Sequence, residues 1–283
     1  MLFLLGEAVG YTGSPRDEPY PPHLCIGDDD MTEFTISREN FLNFLSSFGK
    51  DLSDIVVKVS STGISAAVGQ ETHYISRRVD CGTGQTGNVY ITDIPKVKAF
   101  LSNVKDSNLS INQSGKTATL HLRCGASSLQ LPTSSYIQSQ EKVGLIEKII
   151  KDSKANMWQT WSRLKLNYHA NVTAESLRPA TGFKKVLGDK YSCKTEFDVQ
   201  GKELVIRGGK SSTGKMFIRA PLSSIDAPEI SARSAFDRWL PELLSNLPNG
   251  ELNLYTGDET VMVFEQPATN FLMIVIDQEY EED

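Results

Sequence analysis

"KVKAFLSNVKDSNLSINQSGKTATLHL", Lys96–Leu122, changes its apolar period halfway through. Val97, Phe100, Leu101 and Val104 fall at i, i+3, i+4 and i+7, which predicts an amphipathic helix over 94–105 with one buried stripe. Asp93 stands at the N-cap position, where a carboxylate accepts from otherwise unpaired N–H groups. Pro95 sits in the first turn, where its missing N–H is harmless. After Gly115 the period becomes two, with Ala118, Leu120 and Leu122 alternating with polar residues as in a half-buried strand. A short helix followed by a hairpin buries both apolar faces if the helix lies on one side of the sheet.

The same order recurs three more times: "NFLNFLSSFGKDLSDIVVKVSSTGISAAV" (40–68), "GFKKVLGDKYSCKTEFDVQGKELVIRG" (182–208) and "DRWLPELLSNLPNGELNLYTGDETVMVF" (237–264). The turn glycines Gly63, Gly115, Gly201 and Gly257 keep step once about 30 residues of connector are removed from the middle interval. In the last copy Phe236, Trp239, Leu240, Leu243, Leu244 and Leu247 predict a longer helix, which Pro241 kinks or starts. Two units, a connector and two more units predict an α+β protein of two matched domains, with antiparallel sheets carrying helices on one face. The expected boundaries are 31–132, a connector at 133–164, and 165–283. Residues 1–30 contain "GSPRDEPYPPH" and "GDDD" and read as a disordered leader, with Met31 as the natural start.

"RGGKSSTGKM", Arg207–Met216, matches G-x-x-x-x-G-K of a nucleotide-binding P-loop. That loop needs a helix after it and a Ser or Thr after the Lys to hold Mg²⁺. Met216 occupies the hydroxyl position, and Phe217–Ala220 reads as a strand stopped by Pro221. A β-turn fits better than a phosphate cradle. No other nucleophile–base or paired-carboxylate spacing stands out, and the reading is of a protein that is not an enzyme.

Net charge is −6, unevenly placed. Trp239–Asp283 holds ten acids and no Lys or Arg, which leaves the rest at +4. The positive charge falls on the polar faces of the predicted helices: Lys96, Lys98 and Lys105 on the second; Arg178, Lys184, Lys185 and Lys190 on the third; Arg233 and Arg238 on the fourth. One basic helix face is ordinary solvation, but recurrence on equivalent helices points to one positive concave surface. The four Cys and four His show no metal-ligand spacing, so neither metal nor cofactor is expected, and the thiols read as reduced. No apolar run is long enough to cross a bilayer as a helix. In the connector, Ile146, Ile149, Ile150, Met157, Trp161 and Leu164 lie near helical spacing. Either this helix is solvated, with Trp158 and Trp161 packed on the body, or it faces a partner or DNA.

The fourfold order, together with the closing apolar strand "LMIVID" and acidic "QEYEED", resembles the DNA polymerase sliding clamps, in particular the two-domain forms typified by proliferating cell nuclear antigen and phage-type processivity clamps. The resemblance covers 31–283 apart from the enlarged connector. It implies a doubled βαβββ unit in each domain, helices lining the hole of a homotrimeric ring, and sheets outside. Double-stranded DNA would pass through without being read, and the partners would be a DNA polymerase and a clamp-loader ATPase. The protein would work in the host cytoplasm if phage-encoded and in the nucleus if eukaryotic. The lysines and arginines above would meet phosphates. Met216, Phe217 and Ile218 would pair with Ser128, Leu129 and Leu131 of the next chain. A partner pocket would lie near Leu131, Pro132, Tyr136, Ile274 and Ile276. The alternatives are a β-rich structural or interaction protein, such as a virion component, and, less well supported, a P-loop nucleotide-binding protein.

Overall fold

The computed structural model describes residues 31–70, 72–81, 85–114, 119–133, 143–187, 195–210, 214–226, 232–236, 240–257 and 260–276. The leader, Tyr136, Lys190, Arg238 and the acidic end lie outside the described residues.

Four βαβββ-like units follow one another. The first is β1 (Met31–Ser37), α1 (Arg38–Ser46), β2 (Ile55–Ser60), β3 (Gly63–Gly69) and β4 (His73–Asp80). The second is β5 (Gly87–Ile91), α2 (Ile94–Asn103), β6 (Asn108–Ser114), β7 (Thr119–Cys124) and β8 (Ser127–Pro132). An insertion follows, made of α3 (Val143–Ala155) and the small hairpin β9 (Thr160–Trp161) and β10 (Leu164–Lys165). The third unit is β11 (Tyr168–Thr173), α4 (Ala174–Leu177), a 3₁₀ segment Arg178–Gly182, α5 (Phe183–Leu187), β12 (Thr195–Gln200), β13 (Glu203–Lys210) and β14 (Gly214–Asp226). The fourth is β15 (Ala232–Phe236), a 3₁₀ segment Pro241–Asn246, β16 (Glu251–Thr256), β17 (Val261–Gln266) and β18 (Phe271–Ile276).

In each half, the opening strand of one unit pairs with the first hairpin strand of the other: β1 with β6, β5 with β2, β11 with β16 and β15 with β12. The halves are joined where β4 and β18 pair antiparallel, from Phe271↔Arg77 to Val275↔His73. This junction completes a twelve-stranded sheet, β15-β12-β13-β14-β11-β16-β17-β18-β4-β3-β2-β5. The long strand β14 changes partner along its length. Residues 214–221 pair with β13, whereas Leu222, Ser223 and Asp226 pair with β11.

Strand alternation sorts the side chains onto two faces. Met262, Phe264, Phe271, Met273 and Val275 enter the main core with Phe41, Phe44 and Leu45 of α1 and Val97 and Leu101 of α2. Each such buried side chain contributes about 1.5–3 kcal/mol. Their neighbours Val261, Val263, Leu272, Ile274 and Ile276 point the other way and meet α3, Trp158 and Trp161. The helix starts follow the expected chemistry. Ser37 Oγ accepts from the Asn40 N–H at 3.1 Å, and Asp93 Oδ1 from the Lys96 N–H at 3.0 Å.

Two predicted helices are shorter than their stripes. The third is broken into α4, a 3₁₀ segment carrying Pro179, and α5, because Pro179 lacks the N–H that a continuous helix interior uses. In the fourth copy Phe236 belongs to strand β15, and Pro241 opens a 3₁₀ segment of six residues. The P-loop-like stretch is the β13–β14 hairpin, with Gly209 at φ +103° and a Cβ position 2.3 Å from the Gly214 carbonyl oxygen. The chain leaves it as a strand, so the helix that a P-loop requires does not follow.

Candidate nucleic-acid interface

The helical elements of both halves lie on one side of the sheet and meet at the β4–β18 junction. α1 packs on α2 in the first half, and the 3₁₀ segments 178–182 and 241–246 pack together in the second. A cavity of about 240 Å³ at the seam is lined by Phe48, Lys50 and His73 from one half and by Leu240, Glu242 and Asn246 from the other.

Lys50, Lys184 and Lys185 line an adjoining hollow of about 530 Å³ with Thr181, Ser245 and a single carboxylate, Glu242. Lys184 Nζ lies 3.5 Å from Glu242 Oε1. Lys185 is exposed beside it. Among the described lining residues three cations stand against one anion, and the hollow's openness to water keeps each contact weak. Lys50 was missed as a site residue because it follows the first helix, whose charges nearly cancel. Only the meeting of the two halves brings it beside Lys184.

The other expected cations divide. Lys96 is mostly exposed and its Nζ is 2.8 Å from Asp93 Oδ2, a pairing that holds the Asp93 carboxyl below the usual carboxylate range. Lys98 turns back into the protein: Nζ donates to the Gly49 carbonyl at 3.1 Å, and burial lowers the pKa of its amine. It ties α2 to the end of α1 and presents little charge to solvent. Lys105 is exposed but lies beyond the end of α2. Arg178 donates to the Leu247 carbonyl at 3.3 Å and to Asn249 Oδ1. Arg233 corrects the sequence reading. It sits on β15, on the face opposite the helices, with Nη2 donating to Glu196 Oε1 at 2.8 Å. The alternation of β15 turns Ala232, Ser234 and Phe236 inward, so Arg233 points away from the helical face.

The expected ring-seam residues lie on two sheet edges. Among the described residues β8 has β7 as its only partner strand, and residues 214–221 of β14 have only β13. Leu129, Met216 and Ile218 lean toward the core, whereas Phe217 is 62% exposed on the outer face beside Arg219. Leu131 is buried in the main core.

Among the described residues, the positions expected to form the partner pocket do not share one site. Leu131 belongs to the core beneath β8, while Ile274 and Ile276 are covered by the insertion. Val143, Ile146 and Ile150 of α3 and both Trp158 and Trp161 sit on Ala67 and Tyr74 from the first half and on β17 and β18 from the second. Trp158 Nε1 donates to Glu265 Oε2 at 3.2 Å, and Lys154 Nζ lies 2.9 Å from Glu265 Oε1. The tryptophans are therefore packed on the body.

Among solved structures, the chain is similar over 94% of its length to a DNA polymerase sliding clamp from Pseudomonas aeruginosa, at TM-score 0.64 and 10% identity, covering 69% of that chain. It is similar over 88% to PCNA from Thermococcus kodakaraensis, at TM-score 0.62 and 13% identity, covering 100% of that chain. It is also similar over 89% to A. fulgidus PCNA with the C-terminal region of FEN-1 bound, at TM-score 0.61 and 10% identity, again covering 100%. No protein-family model matches the sequence, and no curated protein is significantly similar to it. The fold is that of the sliding clamps, at low sequence identity to these structures.

Proposed function

We propose that this protein is a DNA sliding clamp, which encircles duplex DNA as a closed homotrimer and tethers a DNA polymerase for processive synthesis. The observation that carries the reading is the chain's own domain junction. β4 ends the first unit of its half and β18 the second, and they pair. Their equivalents in the opposite halves are β14 and β8, and each has an open edge. The repeat that builds the internal junction thus leaves the two halves of an identical junction at opposite ends of the chain. Head-to-tail pairing of those ends closes a ring, and three chains of two domains give six similar domains around it.

Register can be carried across the repeat. Core positions match Leu129 to Met273 and Met216 to Ile75, so the internal pair Met273↔Ile75 becomes Leu129↔Met216 between chains, with Ser128 opposite Phe217. In such a ring the helical face lines the hole, and Lys50, Lys184, Lys185 and Lys96 meet backbone phosphates without reading bases. The work is mechanical rather than catalytic: a polymerase held on the ring stays near its primer end through effective concentration. A loader ATPase opens the ring. The test is mass in solution over a range of concentrations, followed by retention on DNA. A trimer that stays on circular duplex and runs off linear duplex is expected. A monomer at every concentration, with no retention on circles, would sink the proposal.

A further inference from the structure

Beside the lysine hollow, sharing Ser245 with it, lies a second pocket of about 390 Å³ at the junction of the two halves. Its lining includes Arg77, Asn43 and Ser46 from the first half and Arg178, Asn249 and Gln266 from the second, and no Asp or Glu is among the lining residues. Glu175 feels the charge of Arg178 but accepts from the Gly250 N–H at 3.1 and 3.3 Å, and Glu242 lines the adjoining hollow across Ser245. Arg77 spends one nitrogen on the end of α1: Nη1 donates to the Asn43 carbonyl at 3.0 Å and to Ser47 Oγ. Its Nε is buried without a partner among the described residues, and burial lowers the pKa of the guanidinium. Two guanidiniums, amide donors and hydroxyls around a pocket with no carboxylate among its described lining residues make a receptor for a tetrahedral oxyanion.

We infer that this pocket seats one DNA backbone phosphodiester, held between Arg77 and Arg178 where the two halves of the chain meet. The inference rests on the clamp reading, and it adds a fixed contact point to what would otherwise be a diffuse row of exposed lysines. Both arginines are anchored to backbone carbonyls, so little side-chain freedom is lost when the phosphate arrives.

The test is the binding of a short fluorescent duplex across a salt series, with inorganic phosphate titrated separately. Arg77→Gln and Ser46→Asp are compared with Lys184→Glu/Lys185→Glu, and thermal melting checks each fold. Ser46→Asp places a carboxylate at the pocket while leaving the hydrogen bonds of both arginines in place. Each pocket variant should weaken duplex binding by roughly ten-fold or more and lower the salt slope by about one. If the lysine variant loses DNA while both pocket variants keep wild-type affinity and slope, the pocket assignment is overturned and the clamp reading stands. The same holds if inorganic phosphate binds tightly in the pocket and duplex affinity ignores both substitutions. If the wild type binds no short duplex at any salt concentration, the pocket assignment falls, and the clamp reading is decided separately by retention on circular duplex.

Discussion

Cysteines placed at Ser128 and Phe217 in one chain should cross-link neighbouring chains into covalent rings. The internal junction sets the scale of the seam. It pairs five residues on each strand, Phe271 to Val275 against Arg77 to His73. At about 1 kcal/mol net per backbone hydrogen bond, a copy of it between chains gains roughly 5 kcal/mol. Burial of Leu129 and Met216 adds to this, but association itself costs at least about 4 kcal/mol. A single seam is therefore weak, the ring should depend on concentration, and a covalent trap is the suitable probe. Ser128 and Phe217 are both exposed on the outer face, so replacing them leaves the core intact. Directly opposite residues have Cβ atoms about 4.5–5.5 Å apart, close enough for a disulfide after a small adjustment. The diagonal pair Ser128→Cys with Arg219→Cys sits about 7–8 Å apart and should link poorly. A slip of one residue would put the two positions on opposite faces. After mild oxidation, non-reducing electrophoresis should show a closed species near 94 kDa, three times the chain mass of 31.3 kDa. Each single-cysteine variant controls for the four native thiols. Equal linking by the diagonal pair, or no linking by either pair in a preparation that is trimeric by mass, would refute the transferred register.

Other expectations follow from the same geometry. Trp161→Ala removes a fully buried side chain beneath the insertion and should cost about 3–5 kcal/mol. Hydrogen exchange should then rise in β17 and β18, and an unchanged melting midpoint would mean that the insertion does not hold the junction. Lys184→Glu with Lys185→Glu should weaken retention on circular duplex while leaving oligomeric mass unchanged. Glu242→Gln removes the carboxylate that the described residues give the lysine hollow and should strengthen duplex binding several-fold at low salt, with the gain fading as salt rises. His73 is buried beside the seam among Lys50, Asp51 and Glu242, with Thr72 Oγ1 at 3.1 Å, and burial pushes its pKa down to about 4. Its neutral form belongs to the folded state. The stability it allows is complete above its unfolded pKa of about 6.5 and is lost as pH falls toward 4, by up to about 3 kcal/mol. Melting followed from pH 7 to 4 should show the drop, and His73→Gln should flatten it. A variant that falls as steeply as the wild type would place the pH sensitivity elsewhere.

What the sequence revealed and what it hid have separate physical causes. Strand and helix periods are local, so Val97, Phe100 and Leu101 on α2 and the alternation of β7 could be read without neighbours, and four repeats of one order sufficed for the fold. Backbone chemistry was legible wherever one residue type decides it, as at the Asp93 cap and at Met216, whose missing hydroxyl dismissed the P-loop. The direction of a charge was not legible, because it depends on what lies across from it. Lys98 and Lys96 are two residues apart on α2, yet one reaches inward to Gly49 and the other stays in water. Arg233 was counted with the fourth helix, just ahead of its Phe236–Leu247 stripe, but pairing of β15 with β12 places it on a strand and turns it to the opposite face. Arg77 shares the inward phase of Ile75 and Val79 on β4, and only the end of α1 and the arrival of the second half make it one wall of a pocket. The insertion is the same lesson in apolar form. Ile146, Ile150 and Trp161 lie near helical spacing, but their seat is assembled from strands distant in sequence, on both sides of the domain junction. Because that seat belongs to β4 and β18 together, the insertion braces the joint whose open copies are proposed to close the ring. Among the described residues no equivalent insertion packs on β8 or β14. The internal junction should therefore outlast the seams between chains, so that the ring opens between chains before the two halves of a chain part.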